Sequence, residues 1–260
     1  MKIKANGITI NHQVDGPDGA PWLVLSNSLA TNLTMWDPQA RELSRAFRVL
    51  RYDQRGHGAS EAPAGRYPFD LLIADALALM DALAISKAHF AGLSMGGATS
   101  LGLAHQHPDR LDRVIVCDSP CQSTPTSSQQ WEERIVIAQK QGMDALVEPT
   151  VARWFPPEVV KANPPHVDKV RQMIRTTPVN GFIGCAAALA DHNYAAAVAT
   201  VQRPVLFLVG EKDAAAPPMR KLNEALPRSR YVELAGAGHI SNLDQSAGFT
   251  RAVTDFLAAK

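Results

Sequence analysis

The chain has 260 residues and a formal net charge of +1, from 26 lysine and arginine residues against 25 aspartate and glutamate residues. A chain of this length suits one large domain with a substantial buried core rather than two separate domains. Because the charge is balanced and shows no basic stripe or acidic tail, the sequence argues against a nucleic-acid partner or an anionic membrane surface and favours a small molecule.

The N-terminal segment predicts a β-hairpin. Residues 1–16 alternate polar and apolar side chains around Asn6-Gly7, unlike a positively charged leader followed by an apolar stretch. The longest apolar runs, such as 205–209, are strand-sized and too short to cross a membrane. The cysteines at 117, 121 and 185 are odd in number and lack metal-binding spacing. We therefore expect reduced thiols, a cytoplasmic setting and no bound metal.

Further along the chain, short β-rich runs alternate with longer helical patterns. This alternation predicts an α/β fold in which helices cover a mostly parallel central sheet. The predicted strands are 22–26, 47–52, 88–91, 114–117, 205–209 and 231–234. The predicted helices are 71–83, 97–107 and 246–259.

The alternation stops after Asp118. Residues 119–130, SPCQSTPTSSQQ, are rich in Ser, Thr and Pro, and this composition predicts a linker. From 131 to about 200 the pattern is helical with proline breaks, and strand character resumes at Pro204. We therefore expect a core of residues 1–118 and 204–260 and an inserted helical cap, residues 119–203, packed as a lid over the C-terminal edge of the sheet.

The most informative motif is GLSMG at 92–96, which matches the G-x-S-x-G pattern of a nucleophile elbow. In an elbow the serine occupies a strained turn between a strand and a helix, and here an apolar run precedes the motif and a helical pattern follows it. Flanking glycines would remove collisions and allow unusual backbone angles. Ser94 is therefore the candidate nucleophile. The alternative is a glycine-rich turn with a capping serine.

A serine nucleophile needs a histidine base and a carboxylate that orients it. In a fold with this elbow the chain order is serine, acid, histidine. Asp213 follows a predicted strand in VLFLVGEKDAAAP, and His239 follows another in LAGAGHISN. Asp118, at the end of an earlier strand, is the alternative acid. The predicted oxyanion hole consists of the backbone N–H groups of Met95 and of Leu29 in the loop NSLAT.

The remaining candidate histidines fit other roles. His105 and His107 lie two positions apart at a helix end, so they do not face each other as metal ligands would, and we expect them to interact with the helix C-terminus. His57 precedes Ser94 in the chain, in the Gly-rich segment YDQRGHGAS, and is expected to belong to the loop structure.

These segments together resemble the α/β-hydrolase superfamily along the whole chain, from NSLAT through RYDQRGHGAS and GLSMGG to GEKDAAAP and GAGHISN. More narrowly, the chain resembles the 3-oxoadipate enol-lactonases through MWDPQ and the cap segments WEERI, RWFPPE and GFIGCAAALADHNY. It departs from that pattern at Ala30, where glycine is expected, and in RWFPPE, where a proline replaces a polar residue.

The resemblance implies helices on both faces of the sheet and hydrolysis of a small carboxylated lactone in the β-ketoadipate pathway of aromatic catabolism, with no cofactor. Arg134 would bind the substrate carboxylate, because a guanidinium matches its geometry. Trp131 and Trp154 would line the pocket. The alternatives are a solvated charge near Glu132 and Glu133 for the arginine and ordinary lid packing for the tryptophans.

Two other functions fit the same residues. A carboxylesterase, thioesterase or perhydrolase could use the same triad with a different pocket. A protein that binds a small ligand on a hydrolase scaffold could retain the fold without turnover. A haloalkane dehalogenase is disfavoured because that reaction needs a carboxylate where this chain has Ser94.

Overall fold

The structure is a computed structural model that describes residues 1–259. Its centre is an eight-stranded sheet in the order β1-β2-β4-β3-β5-β6-β7-β8, in which β1 and β2 are antiparallel to their neighbours and the other six strands are parallel. The strands are β1 (Lys2–Ala5), β2 (Ile8–Asp15), β3 (Trp22–Ser26), β4 (Arg48–Tyr52), β5 (Ala88–Leu93), β6 (Leu111–Cys117), β7 (Val205–Gly210) and β8 (Ser229–Leu234).

Twelve α-helices are present along the described residues. They are α1 (Asp37–Leu43), α2 (Phe69–Ala82), α3 (Met95–Gln106), α4 (Pro125–Gln141), α5 (Asp144–Trp154), α6 (Pro157–Ala162), α7 (Pro165–Thr176), α8 (Val179–Asp191), α9 (Ala195–Val198), α10 (Ala216–Ala225), α11 (Ser241–Asp244) and α12 (Ser246–Ala258). Within residues 1–259, no helix combines the length and apolarity that a membrane crossing requires.

The burial of the strands explains the architecture. All six residues of β7, VLFLVG, are buried, so both faces of this strand are covered. Such continuous burial is typical of parallel strands packed between layers of helices. The predicted α/β fold with a mostly parallel sheet is therefore confirmed. The N-terminal hairpin is also present, and Asn6 and Gly7 at its turn have φ angles of 46° and 76°, as a tight Asn-Gly turn requires.

Six helices, α4 to α9, lie between β6 and β7. Helix α4 packs against α8, and α5 packs against α7. The predicted linker 119–130 was wrong in its second half, because α4 begins at Pro125. The Thr124 hydroxyl accepts from the Ser127 N–H, and the Ser127 hydroxyl accepts from the Thr124 N–H, which forms a capping box. This cluster of Ser, Thr and Pro is a helix start.

The parallel strands position the site. Because β5, β6, β7 and β8 run in the same direction side by side, the loops that follow them meet at one edge of the sheet. Ser94 follows β5, Asp118 follows β6, Asp213 lies three residues beyond β7 and His239 follows β8. Residues far apart in the chain thus reach the same region.

Candidate active site

Ser94 lies in a sharp turn between β5 and α3. Its φ and ψ angles are 56° and −111°, a conformation that is strained for a residue with a side chain. A Cβ atom on Gly92 would lie 1.9 Å from the Gly96 carbonyl oxygen, and one on Gly96 would lie 2.2 Å from the Ser26 carbonyl oxygen. The two glycines therefore provide space, whereas the serine itself adopts the unusual backbone angles. This corrects the expectation that the glycines adopt them.

His239 pairs with Asp213. Its Nδ1 atom lies 2.9 Å from Oδ2 of Asp213, and the side chains are 15% and 7% exposed. The hydrogen bond assigns the ring proton to Nδ1, so Nε2 is the nitrogen that can accept a proton. The ring also packs on Trp154, with centroids 5.6 Å apart and planes 30° apart, while the His239 N–H donates to the Trp154 carbonyl oxygen at 2.7 Å. A residue of the inserted helices thus helps to fix the imidazole.

The predicted site residues share one cavity of about 250 Å³. Its walls include Ser94, Asp213, His239, Leu29, Trp131, Arg134 and Trp154. Met95 lies behind this wall as the first residue of α3, with its side chain fully buried, so only its backbone N–H is a candidate contact. The structure therefore brings together residues that are spread along the sequence from position 29 to position 239.

The loop after β3 is shaped by a buried histidine. The Ala30 N–H donates to Nε2 of His57 at 2.9 Å, and Nδ1 of His57 lies 3.1 Å from the Arg55 carbonyl oxygen. Since the Ala30 N–H can only donate, Nε2 is the acceptor and Nδ1 carries the proton. Burial lowers the pKa of His57 to about 4. His57 is thus a neutral residue that holds the loop containing Leu29.

Ala30, which stands where the family pattern has glycine, has a left-handed backbone conformation. Its φ angle is 57°, in the left-handed region that glycine adopts without a steric cost. The alanine is 2% exposed within the core. The chain therefore keeps the loop conformation with a residue that is less suited to it.

Two guanidinium groups line the cavity without an acidic partner. The Arg134 guanidinium lies over the Trp131 ring, 4.6 Å from its centroid, and burial lowers its pKa. The neighbouring Glu132 pairs with Arg66 instead. Burial and the nearby Arg134 charge lower the pKa of Arg153 to about 10. Among residues 1–259, neither arginine forms an ion pair with a carboxylate.

Sequence reasoning missed Arg153. Arg153 is an exposed residue that lines the cavity containing Ser94. The available signal was its position directly before Trp154 in RWFPPE, a segment already noted for its resemblance to enol-lactonases. The sequence favours Arg134 because of its position near Trp131, but both arginines line the same cavity.

Asp118 does not contact the imidazole of His239. Its carboxylate is fully buried, where Oδ1 accepts from the Gly210 N–H at 2.8 Å and Oδ2 accepts from the Ser241 hydroxyl. Burial, followed by the charge of Asp213, raises the pKa of Asp118 well above its usual range. Of the two acids considered from the sequence, Asp213 is the one that the structure pairs with His239.

The other singled-out groups lie elsewhere. Nδ1 of His105 contacts the Thr200 hydroxyl at 2.9 Å, near the end of α3. The three cysteines are free and buried, and burial raises the pKa of the Cys117 thiol. Within residues 1–259, no group of three or more His, Cys, Asp or Glu side chains is arranged to hold a metal ion.

Comparisons with known proteins identify the family of the fold. A family model described as the alpha/beta hydrolase fold matches residues 21–246. Two enol-lactonases of Acinetobacter baylyi are similar along nearly their whole lengths. "3-Oxoadipate enol-lactonase 2" is 34% identical over 96% of this chain and 94% of its own length, and "3-oxoadipate enol-lactonase 1" is 32% identical over 99% and 96%.

A solved structure gives the same result. The enol-lactonase from Burkholderia xenovorans LB400 superposes with a TM-score of 0.95 at 40% sequence identity, and the match covers 100% of both chains. The resemblance to enol-lactonases is confirmed by these similarities. The chain belongs to the α/β-hydrolase fold family.

Proposed function

We propose that the protein is a serine hydrolase that opens 3-oxoadipate enol-lactone to 3-oxoadipate. One observation carries the choice of an anionic lactone: Arg134 and Arg153 both line the cavity that contains Ser94 and the His239–Asp213 pair, and neither has a carboxylate partner. The similarity to two curated enol-lactonases supports the same substrate class.

The reaction begins with Ser94. Its Oγ attacks the lactone carbonyl carbon while Nε2 of His239 accepts the hydroxyl proton, and Asp213 stabilises the resulting imidazolium through Nδ1–H. The backbone N–H groups of Met95 and Leu29 stabilise the oxyanion. When the acyl carbon–oxygen bond of the ring breaks, the enol oxygen takes the proton from His239. The substrate is then an acyl ester on Ser94 with a free enol end.

Water completes the reaction. His239 accepts a proton from a water molecule that attacks the acyl carbon, and the bond to Ser94 Oγ breaks as the serine takes that proton back. The released enol tautomerises to the ketone of 3-oxoadipate. Besides water, the proposed chemistry uses only side-chain and backbone groups of this chain and requires no cofactor.

The two guanidinium groups bind the free carboxylate of the substrate. Two cations that face the same small cavity repel each other, and an anion between Arg134 and Arg153 relieves this repulsion while accepting charge-assisted hydrogen bonds. The Trp131 and Trp154 rings supply apolar walls for the lactone ring. A cavity of about 250 Å³ matches a compact substrate.

We also propose that two parts of the chain have different roles in the reaction. The core, residues 1–118 and 204–260, carries the reacting groups and the oxyanion hole. The cap, residues 119–203, carries the arginines and tryptophans that select the substrate. Because Trp154 of the cap also packs on His239, substrate selection and the orientation of the base are coupled.

Steady-state hydrolysis tests this proposal. Enzymatically generated 3-oxoadipate enol-lactone is compared with p-nitrophenyl acetate for the wild-type chain and for Ser94→Ala. A strong preference for the lactone that Ser94→Ala abolishes is the expected result. Activity on the simple ester alone would retain the hydrolase and exclude the lactonase in favour of a broad carboxylesterase.

A fluorophosphonate probe separates the enzyme from a protein that only binds a ligand. We expect covalent labelling of the wild-type chain and none of Ser94→Ala. A folded wild-type protein that stays unlabelled would contradict the nucleophile assignment.

A further inference from the structure

Asp118 connects the three loops that carry the proposed triad. The preceding residue, Cys117, accepts a hydrogen bond from the Ser94 N–H at 2.8 Å through its carbonyl oxygen. Oδ1 of Asp118 accepts from the Gly210 N–H, at the start of the loop that carries Asp213. Oδ2 accepts from the hydroxyl of Ser241, two residues after His239. The carboxyl group therefore joins the loops of the acid and the base.

The carboxyl of Asp118 also lies beside that of Asp213, whose charge helps to raise the pKa of Asp118. Asp118 has a relative exposure of 0%, and its observed donors, Gly210 N–H and the Ser241 hydroxyl, are both neutral. Two buried carboxyl groups in contact do not both ionise near neutral pH, because their charges repel each other and lack solvation. One proton must therefore remain on the pair.

The surroundings decide which carboxyl keeps the proton. Asp213 accepts the Nδ1–H of His239, and the positive charge of Arg153 acts on it without forming an ion pair. Asp118 has two neutral donors and no cationic partner among residues 1–259. A third carboxyl group follows His239 in the chain, that of Asp244. It accepts from the Gly238 N–H and lies 3.4 Å from the His166 ring nitrogen. The asymmetry favours a neutral Asp118 beside an ionised Asp213.

We propose that Asp118 is a positioning residue that holds the proton of the carboxyl pair and donates it in a hydrogen bond to Asp213. This inference rests on the proposed roles of Asp213 and His239. It extends the triad to a fourth residue, which acts on the imidazole only through Asp213.

A neutral Asp118 has a consequence for the base. If both carboxyls were ionised, two negative charges near the ring would favour the protonated imidazole, which cannot accept the proton of Ser94. With one proton on the pair, a single negative charge faces the ring. The proposed hydrogen bond from Asp118 also restricts the rotation of Asp213, whose Oδ2 contacts Nδ1 of His239.

The test compares two substitutions at Asp118. Asp118→Asn has the shape of a protonated aspartate, accepts from the Gly210 N–H and supplies an amide N–H to Asp213. Asp118→Ala removes the donor. Asp112→Asn is the control, because Asp112 lies on the same strand, β6, and pairs with Lys87 at the surface. Activity is measured with p-nitrophenyl acetate, so that the result does not depend on the lactone assignment.

Two readouts are followed. The first is kinetic and consists of kcat and the acidic limb of the kcat/KM–pH profile. The second is the midpoint of the NMR titration of His239, whose resonance is identified by its loss in His239→Gln. The NMR readout needs no turnover, so failure of the proposed catalytic role and failure of this inference are distinguishable. Thermal unfolding of each variant checks that it is folded.

We expect Asp118→Asn to restore most of the kcat that Asp118→Ala loses, with a loss in Asp118→Ala of about 10- to 100-fold, the effect of one hydrogen bond to a charged group. Asp118→Asn should leave the acidic limb and the His239 midpoint in place, because it changes no charge. A downward shift of both by about one pH unit or more would show that Asp118 is ionised and would overturn the proposal. A folded Asp118→Ala with wild-type kcat would overturn it as well.

Discussion

Nδ1 of His239 lies 2.9 Å from Oδ2 of Asp213, although the two residues stand 26 positions apart in the chain. This contact sets the tautomer of the imidazole. The amide N–H of Asp213→Asn can donate to Nδ1, which favours the tautomer that carries its proton on Nε2 and cannot accept the proton of Ser94. We expect kcat to fall by roughly 10³- to 10⁴-fold, as for the corresponding change in serine proteases, with KM changed by less than about threefold. Steady-state kinetics on p-nitrophenyl acetate measure this, with Asp112→Asn as the control. A small loss in Asp213→Asn combined with a large loss in Asp118→Asn would reassign the acid.

Removal of either cavity guanidinium should affect the anionic substrate selectively. For Arg134→Ala and Arg153→Ala we expect KM for the enol-lactone to rise by about tenfold or more, because each change removes a charge-assisted hydrogen bond to the carboxylate. The kcat/KM for neutral p-nitrophenyl acetate should stay within about threefold. Arg175→Ala is the control, since Arg175 pairs with Asp144 on the exposed surface of the same helical region.

Equal losses on both substrates would contradict the carboxylate assignment. Arg153 directly precedes Trp154, which packs on His239, so a general loss would indicate that the arginine orients the base instead.

The strained turn at Ser94 should be detectable as lost stability. Ser94→Gly removes the Cβ atom from a backbone with a φ angle of 56°, so the free energy of unfolding should rise by about 1 kcal/mol while activity disappears. Ser94→Ala also loses activity but keeps the Cβ atom and should gain no stability. Urea unfolding of both variants and the wild type provides the measurement. Identical midpoints for the two variants would show that the turn stores no strain.

His57 should make stability depend on pH. Its pKa is about 4 in the folded protein against 6.5 for the ordinary side chain, so the unfolded chain takes up a proton that the folded chain does not. The stabilisation is therefore fully present above about pH 6.5 and is lost as the pH falls towards 4. Between pH 7 and pH 5 the loss due to His57 should be about 2 kcal/mol.

His57→Gln isolates this contribution, because glutamine can accept the Ala30 N–H but does not titrate. Burial also lowers the pKa of His12, His89 and His192, and these residues titrate equally in both proteins. Urea unfolding at pH 7 and pH 5 should show a smaller loss in the variant than in the wild type. The same loss in both proteins would contradict the assignment to His57.

Local sequence signals were sufficient for the sheet and for the loops that carry the proposed triad. The apolar run of β7 predicted a buried strand, and the elbow around Ser94 predicted a strand-to-helix turn. Asp213 and His239 each follow a predicted strand, and parallel strands bring such positions to one edge. The same rule placed Asp118 equally near, so it could not separate the two acids. Only the side-chain contact with His239 does so.

Local signals were less decisive in the helical region. The composition of 119–130 predicts a linker, but Ser, Thr and Pro favour both loops and helix starts. The reciprocal bonds of Thr124 and Ser127 begin helix α4 within this segment. Arg153 could not be separated from the other arginines between β6 and β7, because helical periodicity does not reveal which face of α5 borders the cavity.

The sequence by itself determined the elements that depend on neighbouring residues: the strands, the hairpin turn and the elbow, whose flanking glycines leave room for the tight turn at Ser94. The tertiary structure alone decided which acid meets His239 and which guanidiniums remain unpaired beside Ser94. These outcomes depend on how loops from separate strands and helices pack against one another, and side-chain distances across such contacts are not encoded in any local pattern of residues.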